Sequence, residues 1–331
     1  MKINILKISA ICASLFVASS VNAQIVGFEV TDISGNPTSD ITLIENTSQQ
    51  VYGVRVRSPY GKSLTSMSGK INVTNAGGRA YGISSDGTSQ VTISNDIYVE
   101  SGTTDVFVLE HFDRITLQGD ITLTAYAPNG NSNVISSGLT YLYGSGGTHT
   151  MIGDIQAGTA LHFFSGNYIW DHYTKDSIMF VSANIARIES GVRIEFMKAV
   201  SIHSSSLTLR GQLSFHTSDT SGFLLRTPIL DITSTARFTV ILDDGFEAFE
   251  NDQMSIWSGS SIATGGFDAS NVSIVLSSTG ENLTYGDDFI VSSTGVVTFL
   301  TDIGVVIPEP STYAAIFGLL ALGLAIYRRR K

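Results

Sequence analysis

Ile115-Thr116-Leu117-Gln118-Gly119-Asp120-Ile121-Thr122-Leu123-Thr124 decides the fold. Two short runs alternate an aliphatic side chain with a threonine, and a Gly-Asp pair separates them. Successive side chains of a strand point to opposite faces, so in each run the aliphatics take one side and the threonines the other. The same rhythm returns at Ile71-Asn72-Val73-Thr74, Val91-Thr92-Ile93, Leu207-Thr208-Leu209, Phe238-Thr239-Val240 and Ser273-Ile274-Val275-Leu276. Gly, Ser, Asn and Asp bound these runs, as they bound strands elsewhere.

A small or polar pair followed by an apolar residue recurs at Asn95-Asp96-Ile97, Gly119-Asp120-Ile121, Gly153-Asp154-Ile155, Ala183-Asn184-Ile185 and Gly211-Gln212-Leu213, at spacings of 24, 34, 30 and 28 residues. A period in this range fits one coil of a solenoid that turns at the small residue, and residues 24–307 would hold about nine to eleven coils. Such coils stabilise one another only by stacking on neighbours. The expected fold is therefore all-β, a right-handed parallel β-helix or β-solenoid over residues 24–305. The uneven spacing leaves a pair of β-sandwiches as the alternative. Residues 240–300 differ, with an acidic patch ending at Asp252 and then Trp257 and Gly265-Gly266-Phe267. A last coil needs a cap because open strand edges invite association, and Phe246, Phe249, Trp257 and Phe267 are candidates to supply it.

Charge separates the ends from the middle. The 331-residue chain carries a formal net charge of −10, but residues 24–307 hold 13 Lys+Arg against 28 Asp+Glu, or −15. Phosphates would be repelled by that surface, so nucleic acid is not an expected partner. The lone cysteine, Cys12, lies in the first segment. Residues 1–23 read as a secretory signal peptide: Lys2 and Lys7, an apolar run from Ile8 to Val17, then Val21-Asn22-Ala23 before a cut between Ala23 and Gln24. The Sec export machinery is the expected partner there.

At the other end Tyr313 to Tyr327 is uncharged, 15 residues that span about 22 Å as a helix against a hydrocarbon core of about 30 Å. Tyrosines sit at both edges, and Arg328, Arg329, Arg330 and Lys331 close the chain. Such a cluster stays cytoplasmic, which places the preceding domain outside and makes 313–327 a single membrane helix. Pro308-Glu309-Pro310 followed by Ser311-Thr312-Tyr313-Ala314, an apolar helix and a basic terminus resembles the PEP-CTERM sorting tail, over residues 306–331. The same tail is sometimes labelled an ice-binding protein C-terminal domain. The resemblance implies recognition by an exosortase, cleavage at or near Pro308–Pro310, and attachment at the envelope or in extracellular polymer. Physically, Pro308 and Pro310 keep the segment extended, since neither can extend a helix or donate to a ladder. Residues 240–300 also resemble, locally, the closing segment of autotransporter-type β-helix passengers.

No H-E-x-x-H, G-x-S-x-G, Walker or Rossmann pattern is present. Gly144-Ser145-Gly146-Gly147 lacks a following Lys-Ser/Thr and reads as a turn. Asp243-Asp244 and Asp287-Asp288 are adjacent carboxylates, which a strand would send to opposite faces. His111, His149, His162, His172, His203 and His216 form no i, i+2 or i, i+4 pair. His162 and His172 flank Phe163, Phe164, Tyr168, Ile169, Trp170 and Tyr173, which could present stacking surfaces to sugars but are expected to fill a wide coil. Asp243, Asp244, Glu247, Glu250 and Asp252 could offer oxygens to Ca²⁺, yet miss the D-x-[DN]-x-[DN]-G loop and read as solvated surface. The expectation is a non-enzymatic, envelope-associated adhesive or matrix protein, without cofactor or metal, that meets envelope polysaccharide. The alternatives are a polysaccharide-degrading or an ice-binding solenoid, the latter from Thr122-x-Thr124.

Overall fold

Strands this short bury too little on their own, and the only cover their apolar sides can find is the same side of the next strand along. The computed structural model, which describes residues 24–30, 38–57, 63–172, 179–221, 223–227, 229–258, 261–263 and 269–304, shows that stacking. Among the described residues every strand ladder is parallel except the two made by Val296–Phe299. A sandwich of hairpins would be antiparallel, so the sandwich alternative is set aside.

The strands form ten levels on three faces. Coil 1 contributes Ile25–Val30 and Ile41–Glu45, and coil 2 Val51–Val56, Ser63–Met67 and Ile71–Asn75. Coils 3 and 4 fuse their first two faces in Ala80–Ile93 and Val106–Gln118 and add Ile97–Ser101 and Ile121–Tyr126. Coils 5 and 6 run through all three faces as Ser132–Ile152 and Asp154–Asp171. Coil 7 separates again into Met179–Ser182, Ile185–Ile188 and Arg193–Phe196. Coil 8 is Val200–His203, Ser206–Leu209 and Gln212–Thr217. Coil 9 is Phe223–Arg226, Ile229–Ile232 and Arg237–Leu242, and coil 10 is Gln253–Ser258, Ser261–Ala263 and Val272–Leu276.

One inward column runs the whole stack on the third face: Ile41, Ile71, Ile97, Leu123, Met151, Trp170, Phe196, Phe215, Val240 and Ile274 stand opposite one another in register. All but the first are buried. In mid-stack the column turns aromatic, and Trp170, Phe196 and Phe215 stack with centroids 5.7 and 5.1 Å apart. Of the aromatics expected to fill the coil, Phe163, Tyr168 and Trp170 do so and are buried. Small side chains make room for them: Ala186 lines the same core gap as Trp170 and Phe196, and Ala157 and Ala183 are buried on the same coils.

Corners leave backbone N–H groups beyond the ladders, and an unmet buried donor costs about 1–3 kcal/mol. Aspartates meet three of them: Asp40 accepts from Lys70 N, Asp96 from Thr122 N and Asp120 from Thr148 N, each at 2.8 Å. At another corner the fully buried Asn75 accepts from Thr47 N and donates to the carbonyls of Gln49 and Arg79. Its register partner one coil on, Ser101, donates to Gly78 O. The Gly-rich turn lies at such a corner inside Ser132–Ile152, with Gly146 at φ +73°. A Cβ on Gly147 would stand 2.5 Å from the Gly119 carbonyl carbon, so the chain accepts only glycine there.

The sequence repeat is out of phase with these coils. The partner of Ile97 is Leu123, not Ile121. Ile155 lies on the first face, Ile185 on the second and Leu213 on the third. The motif marks corners in general, and a three-cornered coil offers it three times per turn.

Residues 282–304 close the stack. Val296–Phe299 pairs antiparallel with Gln253–Ser258 and with Phe289–Val291, and Ala248 bridges Ile303. Phe246 and Trp257 are buried at this end, Phe249 is 55% exposed, and Phe267 lies outside the described residues.

Candidate functional site

The sorting and processing residues named from sequence fall almost wholly outside the described part. Ala23, Pro308, Glu309, Pro310, Ser311, Thr312, Arg328, Arg329, Arg330 and Lys331 lie beyond it, as do the segments 1–23 and 313–327. Gln24 is described: it is exposed, and its amide donates to Gln50 Oε1 at 3.2 Å just before the first strand begins at Ile25. At the other end the last described residue, Gly304, belongs to the cap. Among the described residues no helix is long and apolar enough to cross a membrane.

On the scaffold itself three features carry chemistry. The first is a groove of about 830 Å³ along the corner between the first two faces of coils 7 to 10. Asn184, Ser204, Arg226 and Ser258 line it, one from each coil. It exists because the chain leaves the first face at the same point on four successive coils, stacking four corners into a trough.

The second is His216, outward on the third face of coil 8. Its Nδ1 lies 2.7 Å from Asp243 Oδ1 on coil 9, and its Nε2 lies 2.9 Å from Glu195 Oε1 on coil 7. Both ring nitrogens can donate only in the imidazolium form. Burial pulls the pKa down, but hydrogen bonds to Asp243 and Glu195, and their charges, outweigh it and hold the ring above its ordinary 6.5. A raised folded pKa means that the clasp stabilises fully below the unfolded pKa and is lost as pH rises through the folded one. The melting-temperature gap between the protein and His216→Asn is therefore expected to be largest near pH 5 and to narrow above pH 6.5. Melts from pH 5 to 9 check this, and a gap constant with pH would show that His216 acts there as a neutral ring.

The third is an aromatic ladder. Phe163, Tyr168 and Trp170 point inward and are buried. Tyr141, Tyr143, His162 and Phe164 point outward on the second face. Tyr143 and Phe164 stack at 4.9 Å and 7°, and the Arg114 guanidinium lies 4.3 Å from the centre of the Tyr143 ring. Tyr143 is thus held between Phe164 and the cation, while Tyr141 and His162 meet Phe164 at tilted angles. Tyr173 lies outside the described residues.

His149 is fully buried in a column with Ile121 and Tyr168, and neither ring nitrogen has a hydrogen-bond partner. Burial lowers its pKa, against weaker opposite pulls from Asp120 and from the Gly119 backbone, which approaches without completing a bond. Its ring lies against Gly144, where a Cβ would stand 2.5 Å from Nε2.

The acidic segment is spread out. Asp243 faces His216, Asp244 accepts from Ser277 Oγ at 3.2 Å and Asp252 accepts from Phe249 N at 2.9 Å. Asp288 accepts from Thr284 N at 2.7 Å, in a turn. Among the described residues no group of three or more His, Cys, Asp or Glu is arranged to hold a metal ion. Thr122 stands opposite Thr150, but Thr124 stands opposite Tyr98 and Ile152, so the threonine pair does not extend into an array. Sequence reasoning missed the His216 clasp and the groove, whose members meet only through the coil register.

The two termini of the described body frame the decisive comparison, made on the residues just beyond the cap. Residues 306–331 match the PEP-CTERM protein-sorting motif. No curated protein and no solved structure matches the chain. The sorting motif marks the protein for export and cell-surface sorting, with an exosortase as the processing partner. The described residues end at Gly304, two residues short of it.

Proposed function

We propose that this is a non-enzymatic adhesive or matrix protein of the cell envelope, which the sorting motif delivers and whose stacked body binds envelope polysaccharide. In this reading residues 1–23 direct Sec export and are cut between Ala23 and Gln24. Residues 313–327 hold the precursor in the membrane with Arg328 to Lys331 inside, and the exosortase acts at or near Pro308–Pro310. The body is a right-handed β-helix, the hand that parallel crossover connections take in nearly all cases. The sorting motif at 306–331 carries the reading. Further support comes from the body: long stacked faces display Thr, Ser and Asn side chains whose hydroxyls and amides match the donors and acceptors of sugars.

The test is retention of the purified full-length protein on envelope polysaccharide from the producing cell, with analysis of the sugar released. Binding with no new reducing ends is the expected result. Fragment release would replace the reading with a polysaccharide-degrading one and direct attention to His216 between Glu195 and Asp243. No retention on any envelope polymer would overturn it.

A further inference from the structure

The corner groove on coils 7 to 10 differs from the rest of the surface in charge. The body between the ends is strongly acidic, at −15 over residues 24–307. Among the described residues that line the groove, the only formally charged side chain is Arg226, which is exposed. No carboxylate is among them. The remaining lining is rich in small hydrogen-bonding groups, including Asn184, Ser205 and Thr227.

The groove also holds an unmet donor. Ser204 lies in its floor at 5% exposure, and its Oγ has no hydrogen-bond partner. A buried hydroxyl left unpaired is costly, and folds seldom keep one without a use. The volume, about 830 Å³, falls within the size range of ligand sites. Four levels spaced about 4.8 Å apart give a trough roughly 14 Å long that runs with the stack, the shape for a few units of a linear polymer rather than a compact metabolite.

We infer that this groove binds an acidic polysaccharide, with the Arg226 guanidinium on a uronate carboxylate and Ser204 Oγ on a neighbouring sugar hydroxyl. The inference rests on the polysaccharide-binding reading and gives it a site and a ligand class. Arg226 suits that role because its planar fork matches a carboxylate in two parallel bonds. The acidic surround then acts as a filter, turning away polyanions everywhere except along this corner.

The experiment uses the full-length protein in detergent, titrated calorimetrically with a short oligogalacturonate and with an uncharged oligosaccharide of equal length. The oligogalacturonate is expected to bind more tightly, with an affinity that falls as salt rises. Arg226→Gln should weaken it by about tenfold or more and flatten the salt dependence, while leaving the uncharged ligand and the melting temperature unchanged. Ser204→Ala should weaken both ligands severalfold without lowering the melting temperature, since it removes a group the fold leaves unpaired. Unchanged oligogalacturonate affinity in both variants would overturn the groove as the site and leave the broader reading standing. If the protein is retained on neutral envelope polymers but prefers the uncharged oligosaccharide, the acidic ligand class is overturned. Absence of binding to these probes and to every envelope polymer would sink both.

Discussion

Trp170→Ala is expected to destabilise the body by about 3–5 kcal/mol, the cost of emptying a large buried aromatic site. Trp170 is 1% exposed at mid-stack, lies between Met151 and Phe196 in the inward column, and donates its indole N–H to Gly153 O at 2.6 Å. The substitution removes the ring, its stack on Phe196 and the partner of the Gly153 carbonyl together. The neighbourhood cannot collapse to fill the void, because Ala186 across the core is already small and the coil length is fixed by strands on three faces. Each coil is stabilised chiefly by the next, so a defect at coil 6 weakens the coupling between the levels before and after it. Denaturation is expected to lose its single transition, with coils 1–5 and the capped coils 7–10 unfolding apart. Trp170→Phe should recover most of the loss. A Trp170→Ala protein within about 1 kcal/mol of the parent would place the ring outside the core.

Deleting Pro308–Pro310 is expected to abolish sorting while leaving the fold untouched. The segment lies within the matched motif at 306–331 and outside the described body, which is closed by its own antiparallel strands before Gly304. Two prolines cannot continue a helix or donate to a ladder, which suits the extended form a protease takes up at a membrane face. The uncut protein should accumulate in the inner membrane, detected by mass spectrometry of its C-terminus, with the melting temperature of the body unchanged. A processed product in its usual place would reject the reading of these residues as the sorting signal.

Much of the scaffold can be read along the chain, because strand alternation is local. The Ile-Thr-Leu runs lie where expected, and the apolar members point inward. Asp96 and Asp120 stand out as turn residues, and both satisfy a backbone donor one coil on. Phase is what the linear chain hides. Three corners of one coil use the same Gly, Asn and Asp chemistry, so a repeat drawn from Asp96, Asp120 and Asp154 mixes corners. The site residues are hidden for the same reason. Glu195, His216 and Asp243 are separated by 21 and 27 residues, and nothing local distinguishes them until the register stacks them. Ser204 and Arg226 belong to ordinary strand ends, and only the absence of a partner for the Ser204 hydroxyl singles that residue out. The sorting tail reads easily because prolines, apolar stretch and basic cluster follow one another without any help from folding.

In the chain, the sorting motif follows directly on the cap. The motif begins two residues after Gly304 at the capped end, so a tether through it would attach the stack at its coil-10 end, with coil 1 at the other. The trough on coils 7–10 then sits at the foot of the column. A polymer held there would be drawn down against the cell that made the protein, a posture for knitting a cell's own coat together rather than for reaching out to a neighbour.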